Sequence, residues 1–330
     1  MTRVPPSPRL PDGGPLIEPV DVAIGPAAAG AAGAATERNN LRAMLWLLLS
    51  VVASSAMTVA VRGLSDTIDS RMIVLLRAGA TLALILMALP LLPGIRARLR
   101  VTRPGLHLLR GLLIGLSTHL GFYTLSVLPL ATATVLFFTA PIFATLLAMP
   151  VHGERVGPVR LSAVAAGFLG AVVILRPGVD GLDPCMIAAL GSSVLFAGAL
   201  TLSRGVAAVD GAVSAFASSV LVTFLLSVPL AWGVYDLPGT SLAWLVLAIL
   251  VIAGGMRGYA DIRAYQMGEA AVLAPVAFLR LVVVAAAGFI FFGEVPDGPT
   301  LVGAAIIVTA TLVITHRESR AGRRKAKTPD

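Results

Sequence analysis

The chain has 330 residues, of which 57% are hydrophobic and only 13% charged, with a formal net charge of +8 and a mean hydropathy of +0.91. A water-soluble domain carries about 25% charged residues to wet its exterior, so this composition excludes an ordinary globular enzyme and suits a chain whose solvent is lipid. The apolar stretches run to about 20 residues without the alternation of a lipid-facing strand, which points to helices rather than a barrel.

Residues 1–39 begin with "PPSPRLPDGGP" and continue through "GPAAAGAAGAA". Such a segment buries too little apolar surface to offset its ordering entropy, and it is expected to be a disordered cytoplasmic tail. Its Ala/Gly run is too weakly apolar for a signal peptide. Ten apolar segments follow, at about 42–61, 72–92, 105–126, 130–150, 158–175, 184–203, 213–234, 241–260, 267–292 and 298–315. The connections carry turn chemistry, among them "LPGI", "RPGVDGLDP", "VDGA", "YDLPGTS" and "VPDGP". Residues 316–330, "HRESRAGRRKAKTPD", read as a solvated basic cytoplasmic tail. The single cysteine, Cys185, cannot form an intramolecular disulfide and reads as a small apolar helix residue.

Loop charge orients this array. With both termini in the cytoplasm, the inner side collects Arg38, Arg42, Arg96, Arg98, Arg100, Arg103, Arg110, Arg155, Arg160, Arg204, Arg257, Arg263 and the cations of both tails. The outer side then holds only Arg62, Arg71 and Arg176, the asymmetry expected of an inner-membrane protein. These cations sit in short loops without interleaved aromatics, so they signal topology and contact with anionic headgroups, not nucleic-acid binding.

The stretches "VLFFTAPIFATLLAMPVHGERV" (135–156) and "VAFLRLVVVAAAGFIFFGEVPD" (276–297) both break at Gly-Glu. A shift of 140 residues lays Gly153-Glu154 on Gly293-Glu294, Ala131 on Ala271 and Leu161 on Leu301. Each half then holds five spans, and an odd number inverts the second copy. Loop charge agrees, because Arg155 and Arg160 follow the first Gly-Glu while no basic residue follows the second in "VPDGP". The expected fold is an all-α polytopic membrane protein of ten transmembrane helices, built as two inverted five-helix repeats.

Several of these segments resemble a known family. They are Arg77 in the second span, "LPLATATVLFFTAPIFATLLAMPVHGERV", "GFLGAVVILRPG" and "AYQMGEAAVLAPVAFLRLVVVAAAGFIFFGEVPD". Together they are similar to the EamA-type transporters of the drug/metabolite transporter superfamily, over about residues 41–315. The resemblance implies one EamA-like repeat at 41–176, a second, inverted, at 183–315, and secondary transport. It leaves the substrate open, since members carry amino acids, nucleotides and vitamins. The ending "APVAFLRL" to "FFGEVPD" looks most like bacterial carriers for S-adenosylmethionine or riboflavin uptake.

Ionisable groups inside spans are the candidate site, because each costs about 2.5–3.5 kcal/mol on insertion scales unless it faces protein or water. Arg77 lies within the second span and either lines a cavity or snorkels to the outer headgroups. His119 and Tyr123 stand one turn apart on one face of the third; a satisfied, buried histidine is the structural alternative. In "MRGYADIRAY", Arg257 and Asp261 are spaced to pair, with Tyr259 and Tyr265 nearby; they serve a substrate or form a salt bridge at the membrane surface. The 140-residue shift lays His119 on Tyr259, so both halves place polar groups on equivalent helices. Arg280, mid-span in "VAFLRLVVV", is the strongest candidate for an anionic substrate group, or else pairs with Asp261. Trp46, Phe122, Phe137, Phe138 and Phe278 are candidate cavity walls, Phe138 foremost. Glu154 and Glu294 read as caps of the helices that follow them, or as coupling groups. Pro141 and Pro275 either kink their helices or break them at the cavity.

The sequence carries no zinc spacing, Walker loop, nucleophile elbow or catalytic carboxylate pair, so no cofactor, metal or enzymatic activity is expected. These features point to a non-ATP transporter of a small polar or zwitterionic metabolite in a bacterial inner membrane. It becomes proton-coupled if Asp261 or His119 titrates during the cycle. An amino-acid or drug exporter of the same fold is the nearest alternative, and a membrane sensor or enzyme without net transport is the rival from another class.

Overall fold

A computed structural model describes residues 29–96, 99–152, 158–175, 183–267 and 270–325. Among the described residues every regular element is helical, as lipid demands of a backbone that must satisfy its own hydrogen bonds. Helix α1 (Ala29–Ser65) begins well ahead of residue 42, because the alanines of "AGAAGAATER" have the highest helix propensity of any residue. Asp69 starts α2 (Ser70–Leu91) by accepting from the Arg71 amide at 2.8 Å, and the helix stops just before Pro93, where a helical residue is disfavoured. A single turn, α3 (Pro93–Arg96), leads to α4 (Pro104–Val127), which has proline in its first turn where no partner is lost.

The fourth apolar segment forms two helices, α5 (Leu130–Phe137) and α6 (Ala140–His152), parted at Phe138-Thr139. Pro141 is the second residue of α6, so the break sits where its missing amide costs least. Pro275, by contrast, lies inside α10 without dividing it. Helix α7 (Pro158–Leu175) follows, then α8 (Pro184–Leu230), whose two arms meet at Gly211 with φ 81° and ψ 162°, a conformation that glycine alone adopts readily. The chain closes with α9 (Ser241–Met267), α10 (Ala270–Phe292) and α11 (Gly298–Lys325), the last running well into the basic tail.

Among the described residues six helical stretches are long and apolar enough to cross a membrane: Leu41–Ser65, Ser70–Leu91, Leu130–Leu147, Pro184–Ser203, Val209–Leu230 and Ser241–Asp261. Shorter apolar helices occupy Leu161–Leu175, Val276–Phe292 and Gly298–Ile314. Helix α4 is less apolar because it carries His107, Arg110, Ser117, Thr118 and His119, all of them facing protein at least in part. Many large apolar side chains stay exposed, among them Leu86, Met87, Leu225, Ile252, Val282, Ile290 and Phe291, which fits a surface wetted by acyl chains.

Residues 39–330 form one compact unit. Helix α4 packs along α8, and α2 packs on α4, α8 and α9. Helix α7 runs against α11, and α10 against α5, α9 and α11. Leu64, Ile73, Leu136, Ile142, Ile174, Leu250 and Ile307, from both halves of the sequence, are buried in a single core. Helices α7 and α11 meet where Gly170 faces Gly303: a Cβ on Gly303 would lie 2.7 Å from the Gly170 carbonyl oxygen and 2.4 Å from Ile174 Cγ1. Small residues of this kind allow close backbone approach where lipid supplies no hydrophobic drive for helix association.

Candidate functional site in the helix bundle

A cavity of about 360 Å3 lies among α2, α4, both arms of α8 and α9. It reaches from the middle of the bundle toward the end where α8 bends at Gly211. Arg77 from α2 and Arg110 from α4 line it, together with the hydroxyls of Thr81, Thr118, Ser203, Ser219 and Thr223. The Arg77 guanidinium sits over the Phe122 ring, 5.4 Å from its centroid. It lies so close to α9 that a Cβ on Gly254 would be 3.2 Å from both its Nε and its Nη2. Glycine at 254 therefore makes room for this arginine.

Arg110 ties the two arms of α8 together across the bend. Its Nε donates to Ser203 Oγ at 2.7 Å on the first arm, and its Nη1 to the Ala215 carbonyl at 2.7 Å and Ser219 Oγ at 2.5 Å on the second. Next to it, nearer the end of the bundle, His107 Nε2 lies 2.9 Å from Asp210 Oδ2 and His107 Nδ1 lies 2.7 Å from Ser218 Oγ. Asp210 also accepts from the Thr102 amide and, at 2.5 Å, from the Thr102 hydroxyl. The His107 and Asp210 side chains are only 3% and 2% exposed, so the pair is shielded from solvent and fully engaged. These bonds fasten the start of α4 to the bend and fix the wall of the cavity.

Of the residues singled out from sequence, Arg77 lines this cavity. Arg257 lies within Coulombic reach of both Arg77 and Arg280, and Asp261 within reach of Arg280. The Asp261 carboxylate itself accepts from Ser50 Oγ at 2.5 Å and faces Arg257 Nε at 3.8 Å. Arg280 Nε is buried without a hydrogen-bond partner among the described residues. Phe138, at the α5–α6 break, stacks on Phe278 of α10 with centroids 5.0 Å apart.

His119, Tyr123 and Tyr259 each engage a different partner. His119 Nε2 bonds Ser227 Oγ at 2.8 Å, and Tyr123, exposed near the end of α4, takes the Cys185 thiol at 3.4 Å. Tyr259 meets Trp46 edge-on at 5.6 Å and lies under Arg263, whose Nε donates to its hydroxyl at 3.2 Å. Glu154 lies outside the described residues, as does the side chain of Tyr265.

Glu294 caps a different helix from the one that follows it. Its Oε2 accepts from the Leu130 amide at 2.6 Å, the first residue of α5 and 164 residues upstream, while its Oε1 lies 3.7 Å from Arg62 Nε. Arg62 also donates to the Ser126 carbonyl. Gly293, at φ 68°, ends α10 by donating to the Phe289 carbonyl at 3.0 Å, the left-handed C-terminal cap. Asp297 caps α11 instead, accepting from the Thr300 amide at 3.0 Å. The Gly-Glu signature thus ends one helix and starts another in the opposite half.

Sequence reasoning passed over Arg110, His107 and Asp210. Arg110 counted only as a loop cation, although it stands six residues beyond Pro104, about 9 Å up the helix. Asp210 was absorbed into the turn signal "VDGA". An ionisable residue bordering an apolar run was the available clue.

Residues 41–176 match the EamA-like transporter family. The S-adenosylmethionine uptake transporter of Rickettsia bellii is 32% identical over 280 residues, covering 85% of this chain and 95% of its own. This chain belongs to the EamA-like transporter family. It is an integral membrane protein of the drug/metabolite transporter superfamily. The riboflavin transporter of Rhizobium johnstonii is 31% identical over 86% of this chain and 93% of its own. The pseudopaline exporter CntI of Pseudomonas aeruginosa is 28% identical over 82% and 95%. A crystal structure at 20% identity superposes with a TM-score of 0.56 over 83% of this chain and 98% of the other, and shares its fold.

Proposed function

We propose that this chain is a secondary carrier for uptake of a small polar or zwitterionic metabolite of the S-adenosylmethionine or riboflavin type. Substrate binds in the cavity among α2, α4, α8 and α9, and the protein works by alternating access. The observation that carries this reading is a cavity inside an apolar helical bundle into which two arginines and several hydroxyls project from mostly apolar walls. The ten apolar helical segments form two inverted five-helix repeats with both termini in the cytoplasm of a bacterial inner membrane. The loop charges and the paired Gly-Glu signatures support that arrangement.

In this frame the Glu294 tie joins the α10–α11 connection to the start of α5 at the outer end, and it must break for the outer side to open. The cavity extends toward the inner end. Arg280, with Arg257 and Asp261 within Coulombic reach, forms a second charged group, available to a carboxylate or to a coupling proton. Tyr259, His119, Tyr123 and Phe138 contribute polar and aromatic surface as the halves rock.

Counterflow of radiolabelled S-adenosylmethionine or riboflavin in proteoliposomes tests the proposal. Wild type should exchange label against internal substrate, and Arg77→Gln and Arg280→Ala should slow it. A pH gradient that drives net accumulation identifies proton coupling. Folded wild-type protein that binds a label without exchanging it points to a sensor or enzyme and ends the transport reading. The exporter relative motivates running the assay in both orientations, since faster exit than entry reassigns the direction.

A further inference from the structure

We infer that the cavity reads charge on its solute, holding a carboxylate or phosphate group between Arg77 and Arg110 and favouring the less cationic of two otherwise matched solutes. This rests on the cavity being the substrate site and adds the chemical class of substrate it takes. Two guanidiniums line the cavity, and none of the described lining residues is acidic.

Two acids of the bundle, among the described residues, are already engaged. Asp210 is held by His107 and Thr102, and Asp261 by Ser50 and Arg257. Arg257 adds a third positive charge within Coulombic reach of Arg77. A solute that brings a further positive charge meets repulsion that a low-dielectric bundle screens poorly.

Hydrogen-bond accounting gives the same answer. The Thr81 hydroxyl donates to the Arg77 carbonyl at 2.8 Å and the Thr118 hydroxyl to the Ile114 carbonyl at 2.8 Å. Ser203 and Ser219 likewise donate to their own helix, to Ala199 at 2.6 Å and Ala215 at 2.8 Å. These hydroxyls have acceptor capacity left and no spare proton. Of the lining hydroxyls only Thr223 donates to no described acceptor, and the charged donors free to meet a ligand all belong to the arginines. Arg110 uses Nε and Nη1 on α8 and keeps Nη2, while the Arg77 guanidinium donates to no described acceptor. A surplus of cationic N–H donors in a fixed fork is complementary to carboxylate or phosphate oxygens.

Matched pairs of solutes test this without knowledge of the natural substrate. S-adenosylhomocysteine is S-adenosylmethionine without the methyl group that makes its sulfur a cation. Riboflavin 5′-phosphate is riboflavin with about two negative charges added. Dissociation constants are measured for all four on the full chain in phosphatidylcholine nanodiscs. The member of each pair with the more negative net charge should bind tighter, by about tenfold or more for the phosphate. Arg77→Gln should shrink that ratio and Arg77→Lys should largely keep it, which separates a lost charge from a damaged fold.

Equal or reversed order within both pairs in wild type overturns the inference, as does failure of both S-adenosylhomocysteine and riboflavin 5′-phosphate to bind. An anionic lipid headgroup shares the phosphate chemistry, so the measurement is repeated with phosphatidylglycerol added. If that lipid displaces the phosphorylated solute, the cavity belongs to lipid and the solute assignment falls. Counterflow with reversed charge order sinks the charge inference alone, whereas ordered binding without counterflow sinks the transport reading alone.

Discussion

Replacing Glu294 by alanine removes the acceptor that holds the first amide of α5. Leu130 is completely buried, and the preceding residue, Pro129, offers no side-chain cap, so the Leu130 amide has no substitute partner among the described residues. An orphaned buried donor costs about 1–3 kcal/mol. Loss of a carboxylate at a helix N-terminus adds about 0.3–1 kcal/mol. Loss of the Arg62 pair, whose partners are 25% and 15% exposed, adds about 0.2–1 kcal/mol. Together these come to about 1.5–5 kcal/mol, all borne by a helix of 8 residues. Glu294→Gln keeps an acceptor oxygen and loses only the charge-dependent part, about 0.5–2 kcal/mol.

Hydrogen–deuterium exchange of the peptide spanning residues 128–137, in nanodiscs, reads this opening directly. At about 1.4 kcal/mol per tenfold, alanine should accelerate exchange of the first-turn amides by about tenfold or more, and glutamine by clearly less. Unchanged exchange at Leu130–Thr132 in the alanine variant would falsify the cross-half cap. Glutamine and alanine behaving alike would show that the charge, and not the acceptor, is what matters.

Gly303→Val should force α7 and α11 apart and lower the melting temperature through overpacking of about 1–3 kcal/mol or more. Gly63→Ala, where an added Cβ meets nothing within 4 Å, is the control; equal melting temperatures for the two contradict the close approach. Arg71 donates two side-chain hydrogen bonds to Asp69 and holds its carboxyl below the usual range. Asp69 therefore contributes stability above its unfolded value of about 3.9, lost as pH falls through the lower folded value. Melting temperature measured against pH should lose part of that acid limb in Asp69→Asn, and an unaltered limb contradicts the assignment. In a Cys185→Ser background, single cysteines placed at Arg100 and Asp236 should label from opposite faces of the membrane. Labelling from one face removes the odd number of crossings between them.

Much of the fold was legible because lipid imposes a one-dimensional rule. Apolar runs must be helices, and their ends show as prolines, glycines and charges. The segment boundaries at Pro104, Pro158 and Pro184 follow from that rule, as does the turn at Gly293. The rule fails where helix propensity outruns hydropathy, at Ala29–Leu41 and in the basic end of α11. It fails again at Phe138-Thr139, where one apolar run became two helices, since hydropathy does not register a local break.

The amino-acid sequence by itself determined that the chain is helical, lipid-solvated and carries ionisable groups within its apolar spans, because hydrophobicity and charge are properties of single residues and short windows. Partnership is not such a property. Only the tertiary structure decided that Arg77 and Arg110 share one cavity, that Asp210 at the bend closes on His107 of α4, and that Glu294 serves a helix in the other half. Each of those contacts joins residues more than 30 positions apart, and helix packing alone sets which faces meet.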